Sequence, residues 1–326
     1  MIICDVYRSG DVKLARINQD AISTALADQE ALLWVELSAP DESELKWLAE
    51  TFCFHQLAME DVRNPHQRPK LDSYGSYNFF VMRRIVHHPK SHSIQSEQVD
   101  CFIGSNYLVV VHRAECPELE AVRTRWEQLP TRRRMNPSFL FYLVADAVVD
   151  SYFPVIDSLG EIIDEQDQEI FSKPDRRAFT TIFKLRRSLL NIRRILGPLR
   201  DAFNEYLRID ESEGPEPGEG VRMYLSDVYD HVLRLTDFVD TYRDMLSGSM
   251  EAYQSSLANK LNENMQRLTV GATVLATATA ITGFYGMNLH GLGVNSVLEY
   301  GSIFVLLVMA LITLIELWLF KRIGWL

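Results

Sequence analysis

Residues 270–288, VGATVLATATAITGFYGMN, decide how this chain is organised. The stretch carries no charged side chain and ends in the motif Tyr285-Gly286-Met287-Asn288. With the two uncharged residues before it, it has the length of about 20 residues that a helix needs to cross a bilayer. A second apolar run, 303–320, follows after a short polar loop. The pattern predicts two membrane spans, 268–287 and 300–320.

The charges around the second span predict the orientation of the chain. Lys321 and Arg322 follow this span directly, and the positive-inside tendency places them in the cytoplasm. Two spans return the chain to its starting side, and the N-terminus has no signal-peptide pattern. We therefore expect a multi-pass protein of the cell inner membrane, in contact with lipid, with both termini cytoplasmic. Glu316 lies within the span, where a carboxylate either has a function or snorkels to the interface.

Composition narrows the possible functions. The 326 residues carry a net charge of −11, which argues against nucleic acid as a partner and suits a protein that gathers cations. The four cysteines form no CxxC pair, so we expect reduced, buried thiols. The chain has no P-loop, no GxGxxG, no HExxH and no Ser/His/Asp arrangement, so the sequence does not indicate an enzyme.

The segments before the spans predict two further domains. Residues 1–135 alternate strand-like and helix-like stretches, which indicates a cytosolic α/β domain whose strand order stays open. Residues 136–267 change to long helical patterns and form a predicted helical stalk, which leaves 268–326 as the transmembrane domain. After Gly220 no proline appears, so one helix from 221 to 284, roughly 95 Å long, is expected to join stalk and membrane.

One face of the first span is small and uncharged. Steps of three and four residues back from Gly286 define this face: Gly283, Thr279, Ala276, Ala272, Leu268, Met265 and Asn262. The rest of the helix carries Leu275, Ile281 and Phe284, which suit lipid or a neighbouring helix. The narrow face suits contact with water, but one helix cannot enclose a pore. A pore would require several copies of the chain around an axis.

Several short motifs carry a resemblance to a known family. Tyr285-Gly286-Met287-Asn288 stands between two terminal spans, and further landmarks occur in matching order: His66-Gln67-Arg68-Pro69-Lys70, Glu97-Gln98-Val99 and Asp227-Val228-Tyr229-Asp230-His231. Together they resemble the CorA family of divalent-cation channels, usually called magnesium transporters. The resemblance covers nearly the whole chain.

The resemblance implies a homopentamer with a cytosolic funnel. Gly286, Met287 and Asn288 would be the selectivity element at the outer mouth, where a ring of amides holds a hydrated magnesium ion. Asn262, Thr279 and Gly283 would line the pore, and Met265 and Leu268 would form its hydrophobic constriction. The transported ion would be Mg²⁺, with Co²⁺ or Ni²⁺ as further candidates.

The family also implies regulation by intracellular Mg²⁺ bound between subunits of the funnel. By motif position, Asp61 and Asp227 match that site. The secondary candidates are Glu60, His66, Asp146 and His231. Bound metal would neutralise opposed carboxylates and keep the pentamer closed, and its loss would loosen the ring.

Two alternatives remain open at the level of sequence. A proton-coupled Zn²⁺ transporter of the same superfamily would use His290, next to the loop, and Glu316. A membrane-anchored metal sensor that conducts nothing would keep the funnel and its metal site without needing the small-residue face.

Overall fold

The computed structural model describes residues 2–8, 19–28, 30–88, 93–129, 136–172, 176–209, 215, 217–286 and 301–325. The chain packs as two units. The first contains the chain up to Ser249 except 170–174, and the second contains 170–174 and Met250–Leu326. The predicted domain limits at 135 and 267 differ from this division by packing. They remain a prediction of where the cytosolic, stalk and transmembrane domains meet.

The first unit is built on a six-stranded sheet. The strands are β1 (Ile2–Arg8), β2 (Ala31–Ser38), β3 (Lys70–Ser73), β4 (Tyr77–His88), β5 (Ser93–Gly104) and β6 (Tyr107–His112). Their order is β1-β2-β6-β5-β4-β3. The β2–β6 pair is parallel and the other four pairs are antiparallel. The predicted mixture of strands and helices in this region is confirmed, and a tight turn at Ser105-Asn106 joins β5 to β6.

Nine helices are described. They are α1 (Gln19–Leu26), α2 (Glu42–Phe52), α3 (Gln56–Arg63), α4 (Pro117–Glu127), α5 (Pro137–Asp150), α6 (Tyr152–Ser172), α7 (Arg176–Tyr206), α8 (Glu219–Gly286) and α9 (Gly301–Ile323). The predicted α/β class, the long helix and the C-terminal apolar helix are confirmed. Helix α8 is continuous over 68 residues and belongs to both units.

Local signals explain where several helices begin and end. Asp41 forms a capping box with Glu44 at the start of α2. Cys53 ends that helix in the left-handed conformation and is exposed, so the expectation of a buried thiol is wrong there. Helices α5 and α6 are separated at Ser151, and Pro154 lies in the first turn of α6. A proline is tolerated in a first turn because its missing N–H has no intrahelical partner there.

Helices α1, α2 and α3 cover one face of the sheet. Odd-numbered residues of β2 and β6 meet apolar side chains of these helices in one buried cluster, which includes Leu33, Val35, Val109, Leu48 and Met59. Strands β2 and β6 are buried almost throughout, as expected for central strands covered on both faces.

The opposite face packs against α4, α5 and α7. Phe80 of β4 lies 5.0 Å, between ring centroids, from both Phe141 and Phe203. Arg123 of α4 donates hydrogen bonds to Asp5 and Glu36, and its guanidinium lies over the Trp34 ring. The ion pairs attach α4 to the two strands at this end of the sheet.

Gly104 permits the tight approach of β5 and β6. A Cβ at this position would lie 2.2 Å from a ring carbon of Tyr107, and that ring is fixed in the core against Phe52 and Phe54. We expect Gly104→Ala to destabilise the protein by about 1–3 kcal/mol through overpacking. The measurement is the thermal unfolding midpoint of the full chain in detergent, followed by tryptophan fluorescence.

Gly197 on α7 is the matched control, because a Cβ there meets nothing within 4 Å. Gly197→Ala should leave the midpoint unchanged or raise it, since alanine favours a helix over glycine by about 1 kcal/mol. An equal loss of stability in both variants would contradict the role assigned to Gly104.

Candidate functional site

Glu60 and Asp61 lie on α3 at an open depression of about 620 Å³. Asp72 and Glu205 add two more acids to its lining. Lys70 lies among them, with its Nζ 2.7 Å from an Asp61 oxygen and 2.5 Å from an Asp72 oxygen. A dication that binds Asp61 therefore has to compete with the Lys70 ammonium.

His66 lies apart from these acids. Its side chain is exposed in the loop after α3 and lines a second cavity together with Arg68 and Arg194. None of the described residues that line this cavity is a carboxylate. Positive neighbours repel a dication, so the structure gives the predicted metal role of His66 no supporting ligand.

Asp146 and His231 are brought together, and Asp150 joins them. Within the described residues, these three are the one set of acidic, histidine or cysteine side chains whose possible ligand atoms all lie within 4.8 Å of one another. His231 Nδ1 lies 3.0 Å from an Asp150 oxygen, and its Nε2 lies 4.0 Å from an Asp227 oxygen. Three acids from α5 and α8 thus surround the His231 imidazole, and two of them, Asp146 and Asp227, were predicted as ligands.

The three acids of this cluster differ in exposure. Asp146 is buried and accepts a 2.9 Å hydrogen bond from Arg125 Nη1, whereas Asp150 and Asp227 are exposed. Burial raises the pKa of the Asp146 carboxyl above its usual value, and nearby Asp150 raises it further, while the hydrogen bond from Arg125 opposes the shift. A bound cation would favour the ionised form of Asp146.

The donor set indicates which metals fit. Mg²⁺ prefers oxygen ligands and keeps several of its waters, whereas imidazole suits Co²⁺, Ni²⁺ and Zn²⁺. Asp146, Asp150 and His231 offer carboxylate oxygens and one imidazole nitrogen. This cluster therefore suits transition-metal dications through direct bonds and Mg²⁺ through bridging waters.

Asp150 was missed by the sequence reasoning. The available signal was its spacing, because residues four apart lie on the same face of a helix. Asp150 follows Asp146 by four positions on α5. Asp61 and Asp227 do not share a group of possible ligands within the described part of one chain.

Among the described residues, three helical segments are long and apolar enough to cross a membrane. In the segment Pro137–Gln168, 67% of the most apolar 18-residue stretch is buried inside the first unit. The buried fraction of the most apolar stretch is 6% in Gly220–Phe284 and 0% in Ile303–Ile323. Low burial distinguishes the two predicted spans from a core helix of similar composition.

In the second unit, α8 and α9 contact each other along one face each. The half-buried or buried positions of α8 recur at helical spacing: Val270, Thr273, Val274, Thr277, Ala278 and Ile281. Those of α9 recur in the same way: Val305, Val308, Met309, Ile312, Thr313, Glu316 and Phe320. At about 100° per residue, the face of α8 around Thr277 lies on the opposite side from the small-residue face that contains Thr279 and Gly283.

The predicted pore positions are therefore left exposed in a single chain. Asn262, Thr279 and Gly283 are exposed, and so are Met265 and Leu268, with 64% and 74% of their surface accessible. Gly286 ends α8. Met287, Asn288 and His290 lie outside the described residues.

Glu316 and Thr277 form the polar connection between the two helices. Thr277 Oγ1 donates a 2.6 Å hydrogen bond to Glu316 Oε1, and Glu316 Oε2 is also buried. Thr269, Thr273, Thr279 and Thr282 instead donate to the carbonyl four residues earlier on α8. Glu316 is thus held between the helices and does not snorkel to the end of the span.

Comparison with known proteins agrees with this architecture. Residues 29–322 match the family model described as CorA-like Mg2+ transporter protein. The Bacillus subtilis protein YfjQ is 33% identical over 90% of this chain and 90% of its own length. The cobalt/magnesium transport protein CorA of Thermotoga maritima is 30% identical over 92% of this chain and 85% of its own. The zinc transport protein ZntB of Yersinia pseudotuberculosis is 22% identical over 96% and 92%.

The fold likeness extends over the full chain. The complete structure of the CorA magnesium transporter from Methanocaldococcus jannaschii superposes with a TM-score of 0.83, at 22% identity, over 100% of this chain and 99% of that one. An α/β unit followed by two bilayer-length helices, with these relatives, defines a membrane transporter of divalent cations. The chain belongs to the CorA-like Mg2+ transporter family.

Thr277→Val should destabilise the membrane helices. The substitution leaves the buried Glu316 carboxylate without its hydroxyl donor, at a cost of about 1.5–3 kcal/mol for a bond to a charged group. We expect a lower thermal midpoint of the full chain in detergent and recovery by Thr277→Ser. Thr282→Val is the control, because the Thr282 hydroxyl bonds only backbone carbonyls of its own helix. Equal midpoints for the two valine variants would refute the Glu316 contact.

Proposed function

We propose that this protein is a homopentameric channel for Mg²⁺ that also passes Co²⁺ or Ni²⁺. The observation that carries the proposal is the face of α8 opposite α9, which is small, uncharged and exposed in one chain. Five copies that turn this face toward a common axis would enclose a pore lined by Asn262, Thr279 and Gly283. Met265 and Leu268 would form its apolar constriction.

The proposed topology follows from the charges at the end of α9. Lys321 and Arg322 lie in its last turn, and the Arg322 guanidinium lies 5.5 Å from the Trp318 ring centroid. Tryptophan is typical of either membrane interface, and Lys and Arg beside a span are typical of the cytoplasmic one. We place both termini on the cytoplasmic side of the cell inner membrane. Residues 1–135 and 136–267 then form the cytosolic funnel, and 268–326 form the membrane domain.

Selection is assigned to Gly286, Met287 and Asn288. Magnesium gives up its water shell reluctantly, so a selective site works best by hydrogen-bonding the hydrated ion. A ring of neutral Asn288 amides can do so and still release the ion, which conduction requires. The function needs no catalytic residue.

Regulation is assigned to acids of the funnel. Asp61 and Asp227 do not meet within one chain, which supports a shared site between two subunits. Within each subunit, Asp146, Asp150 and His231 form a second site. Metal at both sites would neutralise carboxylates and favour the closed ring, and its release would favour opening.

A Zn²⁺ transporter coupled to protons is the second candidate. His231 within the acidic cluster favours it, because imidazole binds Zn²⁺ better than Mg²⁺. Measuring the uptake of Mg²⁺ and of Zn²⁺ into liposomes that contain the purified protein, with and without a pH gradient, distinguishes the two candidates. Zn²⁺ flux that follows a pH gradient, without Mg²⁺ flux, would replace the magnesium proposal. No flux of any metal would favour a sensor that does not conduct.

Asn288→Ala tests the selectivity element. We expect Mg²⁺ uptake into liposomes to fall about tenfold or more, because the ring loses the amides that hold the hydrated ion. Asn295→Ala, which changes the other asparagine between the two spans, should keep the uptake of the original protein. Unchanged Mg²⁺ uptake in Asn288→Ala would remove the selectivity assignment.

Asp61→Ala and Asp227→Ala test the regulatory site. Magnesium should protect the original protein from limited proteolysis, and each variant should need about tenfold more Mg²⁺ for half protection, as expected when about 1.4 kcal/mol of binding is lost. Asp237→Ala changes another exposed acid of α8 and serves as the control. Identical protection curves for all four proteins would rule out Asp61 and Asp227 as ligands.

A further inference from the structure

The cavity beside His66 is lined by several basic side chains. Its volume is about 330 Å³, which is at the lower end of the range for small-molecule pockets, roughly 300–1,000 Å³. Three arginines line it: Arg68 from the loop after α3, Arg83 from β4 and Arg194 from α7. Within the part of the chain that the structure describes, no carboxylate lines it, although the whole chain has a net charge of −11.

The guanidinium groups of this cavity are not neutralised by ion pairs. Arg83 donates to Ser96 Oγ, the Ser96 carbonyl and the Gln67 carbonyl, which are all neutral oxygens. Within the described residues, Arg68 and Arg194 make no ion pair. Arginines elsewhere in the unit do find carboxylates, as Arg84 does with Glu97 and Glu118.

The half-buried position of Arg83 strengthens the need for an anion. Burial lowers the pKa of the Arg83 guanidinium, although Tyr152 and Asp100 act in the opposite direction. Asp100 offers incomplete compensation, because burial raises the pKa of its own carboxyl to about 7. An anion in the cavity would therefore stabilise a charge that the protein itself leaves partly unbalanced.

The cavity is also rigidly built. Gln98 accepts a hydrogen bond from the Gln67 backbone N–H, and Arg83 donates to the Gln67 carbonyl, so the loop that carries His66 and Arg68 is held on both sides. Ile195 and Pro69 provide buried apolar walls. A preorganised loop loses little conformational entropy when a ligand binds.

We propose that Arg68, Arg83 and Arg194 form a binding site for a small anion with two or three linked phosphate groups. Guanidinium forks match phosphate oxygens and bind them through paired, charge-assisted hydrogen bonds. Among the described residues, the lining contains no phenylalanine, tyrosine or tryptophan on which a nucleobase could stack, so recognition rests on the phosphates. Free diphosphate and the phosphate arm of a nucleotide are both possible sources. The site does not depend on which cation the protein transports.

Isothermal titration of the full chain in detergent with sodium diphosphate, in the absence of divalent metal, tests the proposal. We expect one diphosphate per subunit and a weaker dissociation constant, by about tenfold or more, in Arg68→Ala and in Arg194→Ala, since each removes charged hydrogen bonds. Both side chains are exposed, so both variants should fold. Arg186→Ala, on the same helix but outside the cavity lining, should bind as the original protein does.

Further titrations separate the possible ligands. Equal binding of diphosphate and ATP would support recognition through the phosphates alone. Binding of ATP without binding of either diphosphate or inorganic triphosphate would overturn the proposal, because the nucleoside would then carry the recognition. Absence of diphosphate binding to the original protein would overturn it. Dissociation constants of Arg68→Ala and Arg194→Ala that equal those of the original protein and of Arg186→Ala would overturn it too.

Discussion

Hydrogen bonding without water is the constraint that orders the membrane helices. A hydroxyl or carboxylate inside a bilayer has to find its partner within the protein. Four threonines of α8 satisfy this need through carbonyls of their own helix, which leaves the surface around them apolar enough for a span. Thr277 differs, because its hydroxyl reaches Glu316 on α9. One polar bond therefore fixes which side of α8 faces α9, and so which side remains available to other copies of the chain.

The elements with long, regular patterns could be predicted from the sequence. Helix α8 was expected from 221 to 284 and extends over Glu219–Gly286, since nothing in that stretch interrupts helical propensity. Short elements such as α1 and β3 carry too few residues for a recognisable period. The strand order could not be predicted, because the parallel β2–β6 pair joins residues as distant as Leu33 and Tyr107.

Only part of the candidate metal site could be predicted, because the sequence shows spacing along a helix but not contacts between helices. Spacing within a helix is visible in a sequence, whereas the approach of α5 to α8 depends on tertiary packing. His231 and Asp227 are one turn apart on α8, but their proximity to Asp150 follows only from the fold. The ion pair between Asp61 and Lys70 could not be predicted either, although the two residues are only nine positions apart. It requires α3 to pack beside β3.

The parallel β2–β6 pair has a consequence for how the protein is made. Strand β2 leaves the ribosome with only β1 as a neighbour, and its other edge waits until β6 has been synthesised. At about 5–20 residues per second, extension from Ser38 to His112 takes on the order of 4–15 s. During that time a largely apolar strand offers unpaired backbone groups to any other nascent chain. Biogenesis of this protein therefore includes a period of exposure to aggregation that precedes insertion of either membrane helix.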